Sequence, residues 1–443
     1  MSLSQGRSYL AIPGPSVMPE RVLQAMYQPC PNIYEGGLIE LTHSLIPDLK
    51  HVAGTAGQAV IYIANGHGAW EAAVSNVLAA GDTVLVLATG LFCEGWGEMA
   101  RALGVTVETL DFGNQATIDL AQVEAHLAAD STGRIKAVMA VHVDTSTAVL
   151  NDIAGLRRSL DAAGHGALLM VDCIASLGCD KFLMDEWGVD LMVTACQKGL
   201  MTPPGISFVF FSDKAAAARN TMTRVSSYWD WNARINPEYF YQYFCGTAPT
   251  QHLLGLREAL DMILEEELSH VWARHEAIAQ AVWAACEAWG KGGPLAMNIA
   301  EPTLRSRAVT ALSFGAPNGL NLRRWTEHQA GLTLGIGLNM ATNDDPNADG
   351  FFRIGHMGHV NAQMIMGTLG AIQSGLIALD IPHGEGGVEA AARVLAEATR
   401  GEFSWIVRLS GLLARFLQPK PSPPHLHKRC GCTGSSVLRL AYG

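Results

Sequence analysis

The residues VDCIASLG (171–178) and TACQKGLMTPPG (194–205) decide the fold class of this chain. Each segment follows or contains an apolar run typical of a buried strand, and each run leads to a residue that carries chemistry: Asp172 in the first, Lys198 in the second. In an open parallel sheet, the carboxyl ends of the strands form the ligand crevice. The two segments therefore predict an α/β sheet with Asp172 and Lys198 facing one cavity.

The same pattern extends in both directions from these segments. Further apolar runs alternate with amphipathic, helix-like stretches, and they lie at 59–64, 83–88, 105–112, 135–143 and 206–211. This alternation predicts a mainly parallel, doubly wound α/β domain.

The chain after Thr250 changes character. Residues 250–289 have few helix breakers and predict one or two long helices, and residues 291–395 mix strand-like and helix-like runs. We therefore expect a smaller α+β domain in the C-terminal part. The predicted division is an N-terminal segment (1–14), a large domain (15–260), a small domain with its connecting helix (261–395) and a tail (396–443).

Composition excludes several classes of protein. The chain has 443 residues, 49% of them hydrophobic, and a net charge of −11, which argues against a nucleic-acid partner held by bulk charge. No run of about 18 apolar residues predicts a membrane span. The nine cysteines are scattered, as in reduced cytosolic proteins, so we expect a soluble cytoplasmic protein with neither a membrane partner nor a metal site.

The last segment differs in charge from the rest. From residue 401 onward six basic residues face one acidic residue, a net of +5 that leaves −16 for the preceding chain. Such a tail is either a basic surface for a partner or membrane, or a disordered extension or residues of an altered reading frame. Its histidines and cysteines (His425, His427, Cys430 and Cys432) have poor spacing for a metal site.

An acid and a lysine in one crevice suit a cofactor that has a basic ring nitrogen and an aldehyde. Pyridoxal phosphate has both groups. When an aspartate keeps its ring nitrogen protonated, the ring becomes an electron sink. A desolvated lysine supplies the free amine that reacts with an aldehyde. The alternative for Asp172 and Lys198 is a structural ion pair.

A second motif lies at IANGHGAWEAA (63–73), where a predicted strand turns into a helix. The free amides at the start of a helix bind anions, so Asn65, Gly66 and His67 are candidates for a phosphate site. An ordinary strand-to-helix turn remains the alternative.

Together these segments resemble the class V, fold-type I pyridoxal-phosphate enzymes, in the branch of alanine:glyoxylate, serine:glyoxylate and serine:pyruvate aminotransferases. The resemblance covers about residues 10–395. Besides the segments above, it rests on IPGPSVMPERVLQAM, HVDTSTAVL, GTAPTQHLLGLREAL and RIGHMG, taken in order.

The resemblance implies a role for each matching position. Lys198 would bind the cofactor covalently and shuttle the substrate α-proton, and Asp172 would pair with the ring nitrogen. Thr145 would hydrogen-bond the phenolic oxygen or nearby atoms, and Phe92 would stack on the ring. The implied phosphate ligands are Gly66, His67 and Gln197.

The resemblance also implies a homodimer with shared sites. Thr247 matches a threonine that completes the phosphate site of the neighbouring subunit. Three residues earlier, relatives often have a tyrosine where this chain has Phe244, so Tyr243 or Tyr241 is a candidate replacement. Arg353 matches the arginine that binds the substrate α-carboxylate, whereas the nearby His356 is expected to be structural.

The implied reaction is a ping-pong transamination from serine or alanine to glyoxylate or pyruvate. Aspartate or aminophosphonate donors are an alternative that needs a further anion clamp, for which Arg224, Arg305 and Arg307 are candidates. A non-catalytic sensing domain is a second alternative. A cysteine desulfurase, a pyridoxamine–pyruvate aminotransferase and a nicotinamide-binding enzyme fit the motifs less well.

Overall fold

The apolar runs form the strands of two sheets in a computed structural model, which describes residues 2–342 and 344–400. Both sheets belong to a unit that ends at Ala396. The strands are β1 Tyr9–Ala11, β2 Gln58–Tyr62, β3 Thr83–Ala88, β4 Thr106–Asp111, β5 Ile135–Val141, β6 Leu168–Asp172, β7 Leu191–Ala195, β8 Ser207–Phe211, β9 Ala296–Met297, β10 Val309–Ser313, β11 Leu332–Ile336 and β12 Phe351–Gly355.

Helices connect and cover these strands. They are α1 Glu20–Met26, α2 Gly37–Ala53, α3 Gly66–Val77, α4 Leu91–Ala102, α5 Leu120–Ala129, α6 Ile153–Ala162, α7 Asp213–Thr221, α8 Asn232–Ile235, α9 Thr250–Glu266, α10 Leu268–Gly290, α11 Asn318–Trp325 and α12 Ala362–Ala378. A π-helical turn, Thr326–Ala330, continues α11, and residues 387–400 are also helical.

The seven-stranded sheet has the order β2-β8-β7-β6-β5-β3-β4. Only β8 runs antiparallel to its neighbours, so the predicted mainly parallel, doubly wound sheet is confirmed. Every residue of β3, β6, β7 and β8 is buried. Alternate residues of these strands pack against helices on opposite faces, with α2, α5, α6 and α9 on one side and α3, α4 and α7 on the other.

The smaller sheet has the order β1-β11-β12-β10-β9 and is antiparallel except where β1 joins β11. Helices α10 and α12 cover it. Part of the predicted N-terminal segment is thus an edge strand of this sheet, since Tyr9 pairs with Leu332. The exact domain boundaries remain a prediction.

The long helical stretch that the sequence predicts is two helices, α9 and α10, which meet at Glu267. That residue has a positive φ of 69° and ends the first helix.

Two sequence predictions concern the tail of the chain and the absence of a membrane span. The basic tail, with its possible partner surface and metal ligands, lies outside the described residues from 401 onward. Among the helices of the described residues, none is both long and apolar enough to cross a bilayer.

Candidate functional site

The carboxyl ends of β6 and β7 bring the two central residues together. These strands are parallel neighbours, with Asp172 opposite Val193, so Asp172 ends one strand and Lys198 follows the end of the next. Both side chains are buried and line the same cavity of about 330 Å³. The crevice at the carboxyl edge of the sheet is therefore present, as the sequence predicts.

Asp172 is held as a hydrogen-bond acceptor in an apolar setting. The backbone N–H of Ile174 donates to Oδ1 (2.6 Å), and the indole Nε1–H of Trp70 donates to Oδ2 (2.7 Å). Burial raises the pKa of Asp172 to about 7, and the two hydrogen bonds oppose that rise. A cationic ring nitrogen next to this carboxylate would be strongly favoured.

Lys198 is buried with no acidic group in direct contact. Its Nζ donates to the backbone carbonyl of Pro13. Burial, followed by the positive charge of Arg353, lowers the pKa of Lys198 to about 8. A lysine in this state is partly a free amine near neutral pH, which is what bond formation to an aldehyde requires.

Gly14 makes room for the lysine side chain. Its φ is +91°, and a Cβ at this position would lie 2.5 Å from both Cδ and Cε of Lys198. Any larger residue at position 14 would force the Lys198 side chain out of its observed position.

The amino end of α3 lies at the same cavity. Asn65 caps this helix by accepting a hydrogen bond from the Gly68 N–H (3.3 Å). The amides of Gly66 and His67 have no acceptor within the helix because they belong to its first turn. Gln197 lines the cavity as well, and its Oε1 is buried with no hydrogen-bond partner among the described residues. The N–H groups of Gly66 and His67 are donors that can hold an anion, whereas the unpartnered Gln197 Oε1 is an acceptor.

The loop after β5 fixes the start of α4 and thereby Phe92. The buried carboxylate of Asp144 accepts hydrogen bonds from the Phe92 N–H (2.9 Å) and from the backbone and hydroxyl of Ser146. The Phe92 ring contacts Trp70 edge-on, with centroids 6.3 Å apart. Phe92 and Thr145 both line the cavity, which places a flat apolar face beside Asp172.

Two predicted site residues lie elsewhere. Arg353 is buried and donates from Nη1 to the Thr145 carbonyl and from Nε to the Ile336 carbonyl (both 2.7 Å), but it lines an adjoining cavity. Burial lowers its pKa to about 10. Thr247 is exposed and does not line the cavity of Lys198. Within one chain, the predicted site is therefore divided among three places.

The predicted alternatives for these positions are resolved in part. Phe244 is a core residue, 1% exposed and packed on Phe240, so its ring does not face the cavity. Tyr241 is exposed, and Tyr243 packs against Phe244. His356 is buried, with hydrogen bonds to Thr310 and to the Arg307 carbonyl, in agreement with a structural role.

None of the three arginines considered as candidates for a further anion clamp lines the cavity of Lys198. Arg305 pairs with Glu287 (2.6 Å), and Arg307 pairs with Glu276 (2.5 Å). Arg224 is exposed and does not line the cavity. The first two are occupied by structural ion pairs that link the 305–307 segment to α10.

Sequence reasoning missed Trp70, Gly14 and Asp144. A signal for Trp70 was present in the sequence. The residue lies in the first turns of a helix that begins at the ligand crevice, and a buried indole N–H needs a hydrogen-bond acceptor. Gly14 gave no local signal, since its neighbour Lys198 is 184 positions away. Asp144 lies within HVDTSTA, but nothing in the sequence indicates that its carboxylate accepts a hydrogen bond from the Phe92 N–H at the start of α4.

The residues present fit pyridoxal phosphate, the cofactor that the sequence predicts. The cavity offers a carboxylate oxygen at Asp172, an amine of lowered pKa at Lys198, a flat ring at Phe92, and the N–H groups at the start of α3. These are complementary to a ring nitrogen, an aldehyde, an aromatic face and a phosphate, respectively.

Comparisons with known proteins identify the family of the chain. A family model described as aminotransferase class-V matches residues 38–315. The chain is 37% identical to a serine–glyoxylate aminotransferase of Methylorubrum extorquens, over 88% of this chain and 97% of the relative. It is 34% identical to an L-aspartate–glyoxylate aminotransferase of Paracoccus denitrificans, over 86% and 94%.

Solved structures share the fold. The crystal structure of a ureidoglycine–glyoxylate aminotransferase from Bacillus subtilis superposes with a TM-score of 0.79. The match covers 89% of this chain and 99% of the other, at 22% identity.

Proposed function

This chain belongs to the class-V aminotransferases, which use pyridoxal phosphate, and we propose that it transfers the amino group of serine or alanine to glyoxylate or pyruvate. The observation that carries the proposal is that Lys198 and Asp172 line one cavity, where burial shifts the pKa of each toward neutrality. These are the two groups that transamination needs from the protein.

Bound pyridoxal phosphate supplies an electron-poor ring that takes up the electron pair released when the substrate α-carbon loses its proton. In our proposal, the Asp172 carboxylate holds a proton on the ring nitrogen, and the Trp70 indole keeps that carboxylate oriented and ionised. The Lys198 amine would remove the substrate α-proton and carry it to the carbon of the former cofactor aldehyde, and it would move a proton in the opposite direction when the oxo acid is converted. Phe92 would cover one face of the ring and keep water from it.

The remaining residues position the reactants. Asn65, Gly66, His67 and Gln197 would bind the phosphate, and Thr145 would hydrogen-bond the phenolic oxygen. Arg353 would bind the α-carboxylate through Nη2, because its Nε and Nη1 already donate to carbonyls that fix the plane of the guanidinium. The donor amino acid would react and leave before the acceptor oxo acid binds at the same site. This order of binding produces ping-pong kinetics.

We also propose that the chain acts as a cytoplasmic homodimer in which Thr247 reaches the phosphate site of the partner subunit. The exposed position of Thr247 supports this assignment. Large aromatic side chains are exposed at Tyr27 (93%) and Tyr34 (85%), and Tyr239 and Tyr241 are also exposed. Such side chains are enriched at protein interfaces.

The seven cysteines in the described residues are all free, which suits a reducing compartment.

A substrate panel tests the proposed reaction. Purified protein with added cofactor is assayed with serine, alanine and other amino acids against glyoxylate, pyruvate and oxaloacetate. We expect the highest kcat/KM for serine or alanine with glyoxylate, parallel double-reciprocal lines, and a ~10⁴-fold loss in Lys198→Ala, which is the upper end of what general acid–base catalysis contributes. Absence of turnover with every pair would refute the proposal.

A further inference from the structure

A second cavity adjoins the site and contains the side chain of Arg353. It measures about 530 Å³ and is lined on one side by one face of α11 and the π-helical turn that follows. The lining residues Leu320, Arg323, Arg324, Glu327 and His328 have the spacing i, i+3, i+4, i+7 and i+8, which puts them on a single helical face. Here that face is turned toward the cavity rather than into the core.

The charged side chains of the lining are mostly cationic. Arg323, Arg324 and Arg353 line the cavity together with His328, against the single acid Glu327. Among the described residues, neither Arg323 nor Arg324 forms an ion pair within 4.0 Å. Cationic side chains around a concave surface attract anions.

Arg323 has donors that the protein leaves unused. The side chain is half-buried, and its Nε is fully buried without a hydrogen-bond partner in the described part of the chain. Asp349 and Glu327 act on it only at longer range. No hydrogen bond among the described residues uses the Nη atoms of Arg323 either, so the accessible end of the half-buried guanidinium is available to an acceptor in the cavity.

The two cavities share a wall. Gly14 lines both of them, and Pro13 lines the second cavity while its carbonyl accepts the hydrogen bond from Lys198. A substrate that presents its amino group to Lys198 and its α-carboxylate to Arg353 therefore passes Gly14. Arg323 and Arg324 line the same cavity as Arg353, so a further anionic group on that substrate has two more cationic side chains in that cavity.

We propose that this arginine-lined cavity is a second anion subsite, in which Arg323 binds the distal carboxylate of an acidic amino acid such as aspartate. Arg324 adds positive charge at the same face. The inference rests on the proposed function, since it places Arg353 at the α-carboxylate. The enzyme would thereby accept dicarboxylic donors in addition to serine and alanine. Arg323 acts on substrate choice and takes no part in proton transfer.

Binding of substrate analogues that cannot react tests the subsite without turnover. Succinate has two carboxylates and no amino group, whereas butyrate has the same carbon number and one carboxylate. By calorimetry on the cofactor-loaded protein, we expect succinate to bind at least about tenfold more tightly than butyrate, the size of one charge-assisted hydrogen bond. Arg323→Gln should abolish this preference, and Arg323→Lys should retain part of it.

The matched control is Arg101→Gln, which removes an exposed arginine of α4 whose only side-chain hydrogen bond to another described residue is a 3.4 Å contact with Thr109. This variant should bind succinate as the wild type does. Equal affinity of the wild type for succinate and butyrate, or a preference that survives Arg323→Gln, would overturn the subsite.

Kinetics provide the second arm. We expect the wild type to transaminate aspartate with glyoxylate, and Arg323→Gln to lower kcat/KM for aspartate about tenfold while changing that for serine less than about twofold. Turnover of serine but not aspartate in the wild type would overturn the inference and leave the proposed function intact. Loss of both activities in Arg323→Gln would also contradict it, because serine has no distal carboxylate.

Discussion

At the scale of single residues, the site depends on opposite shifts of two titrating groups. Burial raises the pKa of Asp172 to about 7 and lowers that of Lys198 to about 8. Asp172 is ionised only above its pKa, so reactions that need its carboxylate should rise with pH through about 7. The indole N–H of Trp70 donates to the carboxylate and keeps its pKa from rising further.

Trp70→Phe should move this acid limb of the kcat/KM profile to higher pH. The phenyl ring keeps an aromatic side chain in the core but removes the donor to Asp172 Oδ2, so the ionised form loses a hydrogen bond worth about 1.5–3 kcal/mol. That corresponds to an upward shift of about one to two pH units. The measurement is kcat/KM for the best donor across pH 5 to 9.

Trp96→Phe is the matched control. Trp96 stacks on Trp70, is equally buried, and its Nε1 donates only a 3.4 Å hydrogen bond to the Trp70 carbonyl. Its replacement removes an indole without touching Asp172. An unchanged acid limb in Trp70→Phe, or the same shift in both variants, would show that Trp70 does not stabilise the carboxylate.

Whether a contact between two site residues could be predicted depended on whether a regular sequence pattern places both of them. Asp172 and Lys198 were predictable because each follows an apolar run that ends at the same edge of a parallel sheet. The contact of Gly14 with Lys198 and that of Asp144 with the start of α4 were not, because long-range close approaches leave no periodicity in the sequence.

At the scale of helices and strands, prediction was most accurate where burial on both faces produces continuous apolar runs. Strands β2, β3, β4, β5 and β8 begin and end within two residues of the predicted runs. The order of strands and the reversal of β8 were not specified, because hydrophobic pattern fixes which face is buried but not which strands are neighbours. The pairing of β1 with β11 in the small sheet was not predicted, for the same reason.

Element geometry also explains why the site accepts a cofactor. Strands β2, β3, β5, β6 and β7 end at the same edge of the sheet, and the turns after them supply Asn65, Phe92, Thr145, Asp172 and Lys198. Side chains on these rigid supports are positioned by the sheet and need little rearrangement on binding. Arg353 differs because it comes from β12 of the second sheet and reaches the site through the Thr145 carbonyl.

At the scale of the whole molecule, the proposed homodimer predicts active sites that need two chains. Thr247→Ala should weaken cofactor binding, and Lys198→Ala should abolish turnover. When the two variants are mixed and allowed to exchange subunits, a mixed dimer regains one intact site, with Lys198 from one chain and Thr247 from the other. The activity of the mixture should therefore exceed the sum of the separate variants.

Sedimentation of the wild type provides the control for this experiment, since the proposal requires a dimer at assay concentration. An active monomer, or a mixture whose activity is merely the sum of its components, would mean that Thr247 serves no neighbouring site.

The central claim is that Lys198 bonds the cofactor in the cavity it shares with Asp172. Borohydride reduction of the cofactor-loaded protein converts that bond to a stable secondary amine, and peptide mass spectrometry then locates it. The account predicts that the cofactor mass is found on the peptide that contains Lys198 and is absent after Lys198→Ala. Modification at a different lysine in the wild type, or no modification of an active enzyme, would contradict it.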